Sequence, residues 1–61
     1  MKHPLVYVGN YRSAPVYINV KEVRGIQKCH LTQFTVIVLG EGSEVYTEWG
    51  PERVKRAVGA L

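Results

Sequence analysis

Cys29 and His30 stand side by side, a thiol next to an imidazole. That pairing suggests metal binding or nucleophilic work. A structural zinc site needs four nitrogen or sulfur ligands at recognisable spacing. This chain has one cysteine and two histidines, and the other histidine is His3. No metal site is therefore expected, and Cys29 reads as a half-buried small side chain beside a surface histidine. Ser13 or Ser43 with a histidine could form a hydrolytic pair. The chain contains no Asp, however, and nothing in it resembles a nucleophile elbow. A chain of 61 residues also leaves little room for a water-excluding pocket. Gly40-Glu41-Gly42 has the glycines of a phosphate-cradling loop, but neither a helix nor a Lys-Ser/Thr pair follows it. It reads as a hairpin turn. No catalytic residue and no cofactor are expected, and the reading is of a protein that is not an enzyme.

The basic residues carry more. Arg12, Lys21, Arg24 and Lys28 lie among Tyr7, Tyr11 and Tyr17. Cations track a nucleic-acid backbone and aromatic rings stack on bases. Tyr11, Arg12, Lys21, Arg24 and Lys28 are thus a candidate nucleic-acid site. Arg53, Lys55 and Arg56 make a second patch, suited to an acidic partner. The bland alternative is an ordinary solvated surface whose long cationic stems cover apolar area. A formal net charge of +3 permits an acidic partner without requiring one.

These side chains need elements to hold them. Pro4–Val8 is β-branched and aromatic and reads as a first strand, and Gly9–Pro15 as a turn or short loop. Val16–Asn19 is a second strand, so the pair predicts a hairpin. Val23 and Ile26 are three apart, which fits a single helical turn capped by Asn19. Gly25 then permits a return to extended chain or a bulge. Ile26–His30 reads as a third strand, Leu31–Gln33 as a turn, and Phe34–Leu39 as the central strand. Gly40–Ser43 is a tight turn and Glu44–Trp49 an alternating closing strand. Gly50-Pro51 starts a helix, with Val54, Ala57, Val58 and Leu61 as its apolar stripe. The predicted fold is a single small α+β domain: a five-stranded, mostly antiparallel sheet or open barrel, β-β-β-β-β-α, with one C-terminal helix.

The central strand is apolar on both faces: Phe34, Val36 and Val38 on one, Ile37 and Leu39 on the other. One helix covers one face. A domain of this size is near the lower limit for folding alone, and with a single cysteine it has no internal disulfide. Two solutions remain: self-association as a homodimer, or curling into a small barrel. The self-association surface expected is Tyr17, Ile37, Leu39 and Tyr46. No apolar run is long enough to span a membrane. No small-residue cleavage site follows Met1-Lys2-His3-Pro4, so no signal peptide is expected and the cytoplasm is the expected location.

One resemblance adds to this reading. Tyr17-Ile18-Asn19, then Val23 and Ile26, then Thr35-Val36-Ile37-Val38-Leu39, Gly42, Val45, Val54 and Val58 resemble the pattern of FlbD-like small flagellar proteins. It spans about residues 5 to 58, with about three extra residues around His30–Gln33 and Trp49-Gly50-Pro51 in place of an acidic residue. The strand-rich part is also similar to LytTR-type DNA-binding domains. The resemblance implies a small bacterial or phage-type accessory or regulatory protein. The function expected is a non-enzymatic protein-binding module acting as a homodimer; the alternative is a small nucleic-acid-binding protein using a basic, tyrosine-lined sheet face.

Overall fold

The computed structural model describes residues 5–59, so Pro4, His3 and Leu61 lie outside the described residues. Five strands, one 3-10 turn and one α-helix follow in order: β1 (Leu5–Tyr11), β2 (Ala14–Asn19), the turn Val20–Glu22, β3 (Val23–Lys28), β4 (Thr35–Leu39), β5 (Glu44–Thr47) and α1 (Pro51–Gly59). The class is α+β, as expected. The strands do not form one sheet or a closed barrel. They divide into an antiparallel pair, β1-β2, and an antiparallel trio, β3-β4-β5, with β4 in the middle.

The hairpin β1-β2 is longer than expected, because Gly9 and Asn10 belong to the strand and not to a loop. Its turn is only two residues, Arg12 and Ser13, both at positive φ (52° and 68°). That is the backbone twist a two-residue hairpin turn requires, although Asn and Gly adopt it at lower cost. Between Tyr7 and Asn10 the register slips by a bulge, and Gly9 takes a φ of 110°. A Cβ at Gly9 would lie 2.5 Å from Thr47 Oγ1 and 2.6 Å from Trp49 Cγ. Glycine therefore serves twice here, for backbone conformation and for a close crossing.

The crossing joins the two sheets. Glu48 N donates to Asn10 O at 2.8 Å, so the chain leaves β4 after Thr47 and continues alongside β1. For the same reason β5 ends before Glu48 and Trp49. Thr35 and Thr47 are cross-strand partners and both fully buried. Thr47 Oγ1 donates to Val8 O at 2.7 Å and accepts from Trp49 N at 3.3 Å; Thr35 Oγ1 donates to Trp49 O at 2.6 Å. Two hydroxyls thus satisfy the backbone where β1, β5 and the start of α1 meet, which a buried crossing requires.

The cap and the turn lie where the sequence suggests, but Val23 and Ile26, whose spacing pointed to the turn, both belong to β3 and the turn itself is Val20–Glu22. Asn19 caps the 3-10 turn, accepting from Lys21 N at 3.0 Å. Arg24 is the extra residue of a bulge beside Gly25. β3 starts at Val23, not Ile26, and stops at Lys28, after which Cys29 N donates to Phe34 O across the loop. Gly42, at φ 84°, closes the β4-β5 turn.

Val8, Ile18, Ile37 and Val54 are the sealed core. Val23, Ile26, Leu39, Val45, Trp49 and Val58 are among the side chains packed against it. Full burial of a side chain such as Ile37 contributes about 1.5–3 kcal/mol. The Ile37 face of β4 is thus covered from within, by the β1-β2 hairpin together with α1. The opposite face carries Phe34, Val36, Val38 and, from β5, Tyr46. Val36 is only 5% exposed, although it faces away from the helix.

Candidate binding face

Tyr11 explains the burial of Val36. Beyond the Gly9 bulge the hairpin passes the edge of β5, and its tip reaches the second face of the trio. There the Tyr11 ring meets Phe34 edge-on at 5.1 Å and Tyr46 at 5.8 Å. All three rings are half-buried. Arg12 closes the outside, with Cζ 5.4 Å from the Tyr11 ring centre. Glu44 holds the Tyr46 phenol above the usual tyrosine range, by charge first and with desolvation adding to it. Nearby, the Thr32 hydroxyl and then the Leu31 backbone hold the Cys29 thiol below the ordinary thiol range.

A second aromatic group forms on the other side of the hairpin. Alternation sends Val6, Val8, Val16 and Ile18 inward, and so sends Leu5, Tyr7 and Tyr17 outward. Among the described residues no layer lies over them: Leu5 is 63% exposed, Tyr7 43% and Tyr17 58%. Tyr7 and Tyr17 are cross-strand partners with ring centres 5.7 Å apart. Tyr7 also meets Trp49 edge-on at 5.3 Å, and Arg53 stacks on Trp49 with Cζ 3.9 Å from the ring. The result is a row, Tyr17–Tyr7–Trp49–Arg53, running from the open sheet face to the start of α1. The Tyr7 hydroxyl donates to Asn10 Oδ1, which anchors the middle ring.

The residues singled out in the sequence separate on this frame. Of the expected self-association set, Ile37 is fully buried in the core and Leu39 packs against it. Those two are core residues and supply no open surface; the hairpin, absent from a strand-by-strand count of what could cover β4, is what covers them. Tyr46 lies on the opposite face under Tyr11, and Tyr17 alone stands in the open. The nucleic-acid set divides as well. Tyr11 is packed between Phe34 and Tyr46, and Arg12 lies over it. Lys21, Arg24 and Lys28 are exposed along the 3-10 turn and β3. On α1, Arg53, Lys55 and Arg56 are exposed, with Arg53 drawn to Trp49.

His30 is exposed in the β3-β4 loop, Ser13 in the β1-β2 turn and Ser43 in the β4-β5 turn. Among the described residues there is no cluster of three metal-ligating side chains and no pocket. No described helix is long and apolar enough to cross a membrane. Sequence reasoning did not single out Leu5 or Trp49 as site residues, and it named Tyr7 only as an aromatic neighbour of the basic residues. The signal was present for some: Tyr7 and Tyr17 alternate with inward valines and an isoleucine, and Arg53 follows Trp49 by four residues across the helix start. Comparison with protein-family models, with curated proteins and with solved structures finds no match.

Proposed function

We propose that this chain is a non-enzymatic binding module whose contact surface is the outer face of the β1-β2 hairpin. The observation that carries this is the exposed row of Leu5, Tyr7 and Tyr17 on the β1-β2 sheet, continued by Trp49 and Arg53. Contiguous exposed apolar and aromatic side chains mark interaction sites more often than singly scattered ones, such as Leu31 at its loop tip, do. Tyrosine and tryptophan suit the purpose, since they offer a large area with only two side-chain torsions to freeze. A small accessory or regulatory role, which the family resemblance implies, is compatible with such a module. Self-association, in this reading, uses Tyr17 and its neighbours and not Ile37 or Leu39. Lys55 and Arg56, on the exposed side of α1, remain the proposed contact for an acidic partner.

Hydroxyl-radical footprinting tests the reading without assuming a partner. The protein is oxidised once in purified form and once in a native lysate of the cells that make it. Oxidation of Tyr7 and Tyr17 should fall severalfold in the lysate, while Leu31, 93% exposed in a separate loop, reacts equally in both. Equal oxidation of the tyrosines in both samples would overturn the reading.

A further inference from the structure

Resting on the self-association in that reading, we propose where it occurs: two copies of this chain pair β2 with β2, antiparallel and edge to edge, across a two-fold axis at Tyr17.

The strand edges differ in how they are guarded. The outer edges of β1 and β5 meet each other, through Thr47 Oγ1 to Val8 O and Glu48 N to Asn10 O. Those of β2 and β3 are unpaired among the described residues. An open edge invites pairing with another chain, and proteins guard it with cations, bulges or proline. β3 is guarded: Arg24 and Lys28 on it are exposed, and its register breaks between Val23 and Gly25. β2 reads Ala14-Pro15-Val16-Tyr17-Ile18-Asn19, with no charge in it. The bulge of its hairpin lies on β1, where Val8 and Gly9 stand against Val16 alone, so β2 itself runs regularly. Pro15 is its one guard, and the place of Pro15 decides what this edge can pair with.

Arg12-Ser13 is a two-residue turn, so Tyr11 and Ala14 are the hydrogen-bonded pair that closes it, and Asn10 and Pro15 form the next, non-bonded pair. Backbone groups then alternate along β2. Those of Ala14, Val16 and Ile18 point to β1, and those of Pro15, Tyr17 and Asn19 to the open edge. Pro15 has only a carbonyl to offer there; Tyr17 has both groups. Asn19 caps the 3-10 turn, so its carbonyl already accepts the first bond of that turn and its N–H is the group left to satisfy. An axis at Tyr17 sets Tyr17 against the partner's Tyr17, and Asn19 against the partner's Pro15. Tyr17 N–H then donates to the partner's Tyr17 carbonyl, Asn19 N–H donates to the partner's Pro15 carbonyl, and symmetry doubles both bonds. The donor that Pro15 lacks faces a carbonyl that is already bonded. An axis at Val16 leaves Asn19 beyond the end of the partner strand, and one at Ile18 leaves Pro15 beyond it. Only the axis at Tyr17 engages all the outward residues of both strands. On the inner face this register sets Val16 opposite the partner's Ile18, apolar against apolar. On the outer face the two Tyr17 rings become neighbours, and the exposed row continues into the partner copy. That face stays open, so edge pairing enlarges the contact surface and does not cover it.

Sedimentation equilibrium and amide hydrogen exchange by NMR test this together. A contact between two short strand edges is small, so monomer should give way to dimer between about 20 and 500 μM protein. Over that range exchange at the Tyr17 and Asn19 amides should slow severalfold, while amides on the open side of β3 keep their rates. Tyr17→Lys sets like charges directly opposite each other and should weaken the dimer about tenfold or more, and Tyr17→Glu should do the same. Mixed in equal amounts, the two variants should associate about tenfold more tightly than either alone, because that position meets itself across the axis. Circular dichroism checks that both variants keep the fold.

A strict monomer across that range overturns the proposal, as does a dimer whose Tyr17 amide exchanges as fast as in the monomer. Protection of the Tyr7 and Tyr17 rings in the lysate footprint would still uphold the contact face in either case. A mixture of the charged variants no tighter than either alone also overturns edge pairing. If a variant unfolds, the exchange rates of the wild type decide. A dimer that protects the Tyr17 amide, with rings equally oxidised in both footprint samples, upholds edge pairing and removes the contact face.

Discussion

Tyr11 and Tyr17 belong to one hairpin, pair with their neighbours in one antiparallel ladder, and end in opposite surroundings. Tyr11 is enclosed by Phe34, Tyr46 and Arg12 on the second face of β4. Tyr17 has a ring neighbour in Tyr7 and otherwise faces outward at 58% exposure. The residue type is the same, so the difference lies in what the backbone does between them. The Gly9 bulge turns the far end of β1 around the edge of β5, which supplies a second wall for Tyr11. Before the bulge the outer face of the hairpin has no opposing layer among the described residues. An aromatic side chain in this small domain is structural where two layers meet and available for contact where only one exists.

The sharpest way to break this contrast is at the bend. Gly9→Ala places a Cβ within 2.5 Å of Thr47 Oγ1 at a φ of 110°. Overpacking and left-handed strain together should cost about 3 kcal/mol or more. A domain of this length has roughly 3–9 kcal/mol of total stability. Much of the population should then lose its strand signal in circular dichroism at 37 °C, and a wild-type melting curve would refute the role assigned to Gly9.

The two tyrosines themselves come next. Tyr11→Ala should lower unfolding stability by about 2 kcal/mol in urea, less than the ~3–5 of a fully buried ring because Tyr11 is half-buried. Tyr17→Ala should change it by less than about 0.5 kcal/mol. Equal losses at both positions would erase the distinction between a closed and an open cluster.

The hairpin tip offers a smaller and opposite effect. Arg12 and Ser13 both sit at positive φ. Replacing them with Asn-Gly relieves that conformation and should raise the urea midpoint by an amount worth about 1 kcal/mol. A fall would mean that the Arg12 stack on Tyr11 outweighs the backbone strain.

The smallest effect concerns chemistry beside the closed cluster. The Thr32 hydroxyl lowers the Cys29 pKa, so a larger thiolate fraction is present at a given pH than in an ordinary thiol. The midpoint of iodoacetamide alkylation against pH should lie below that of the unfolded chain. Thr32→Val should move it upward, and an unmoved midpoint would remove Thr32 as the cause.

Much of this was readable before any coordinates. The α+β class, five strands in order, the Asn19 cap, the Gly25 bulge and the Gly50-Pro51 helix start all follow from local rules, since each depends on neighbours within a few residues. The outward row was half legible: alternation shows that Tyr7 and Tyr17 share a face, but not that this face is uncovered. Of the self-association set, Ile37 and Leu39 proved to be core residues, because a second sheet packs on their face of β4.

The sequence by itself determined which residues share a face, because strand alternation and helical spacing are properties of short segments. It also determined that the hairpin carries no carboxylate, so that its charge is positive wherever it lies. Tertiary structure decided which faces are closed. That choice depends on contacts between distant segments: Thr47 Oγ1 with Val8 O, 39 residues apart, and Gly9 against Trp49. A bulge of one residue at that crossing sends Tyr11 to one side of β4 and leaves Tyr17 outside, and no local pattern encodes which side each reaches.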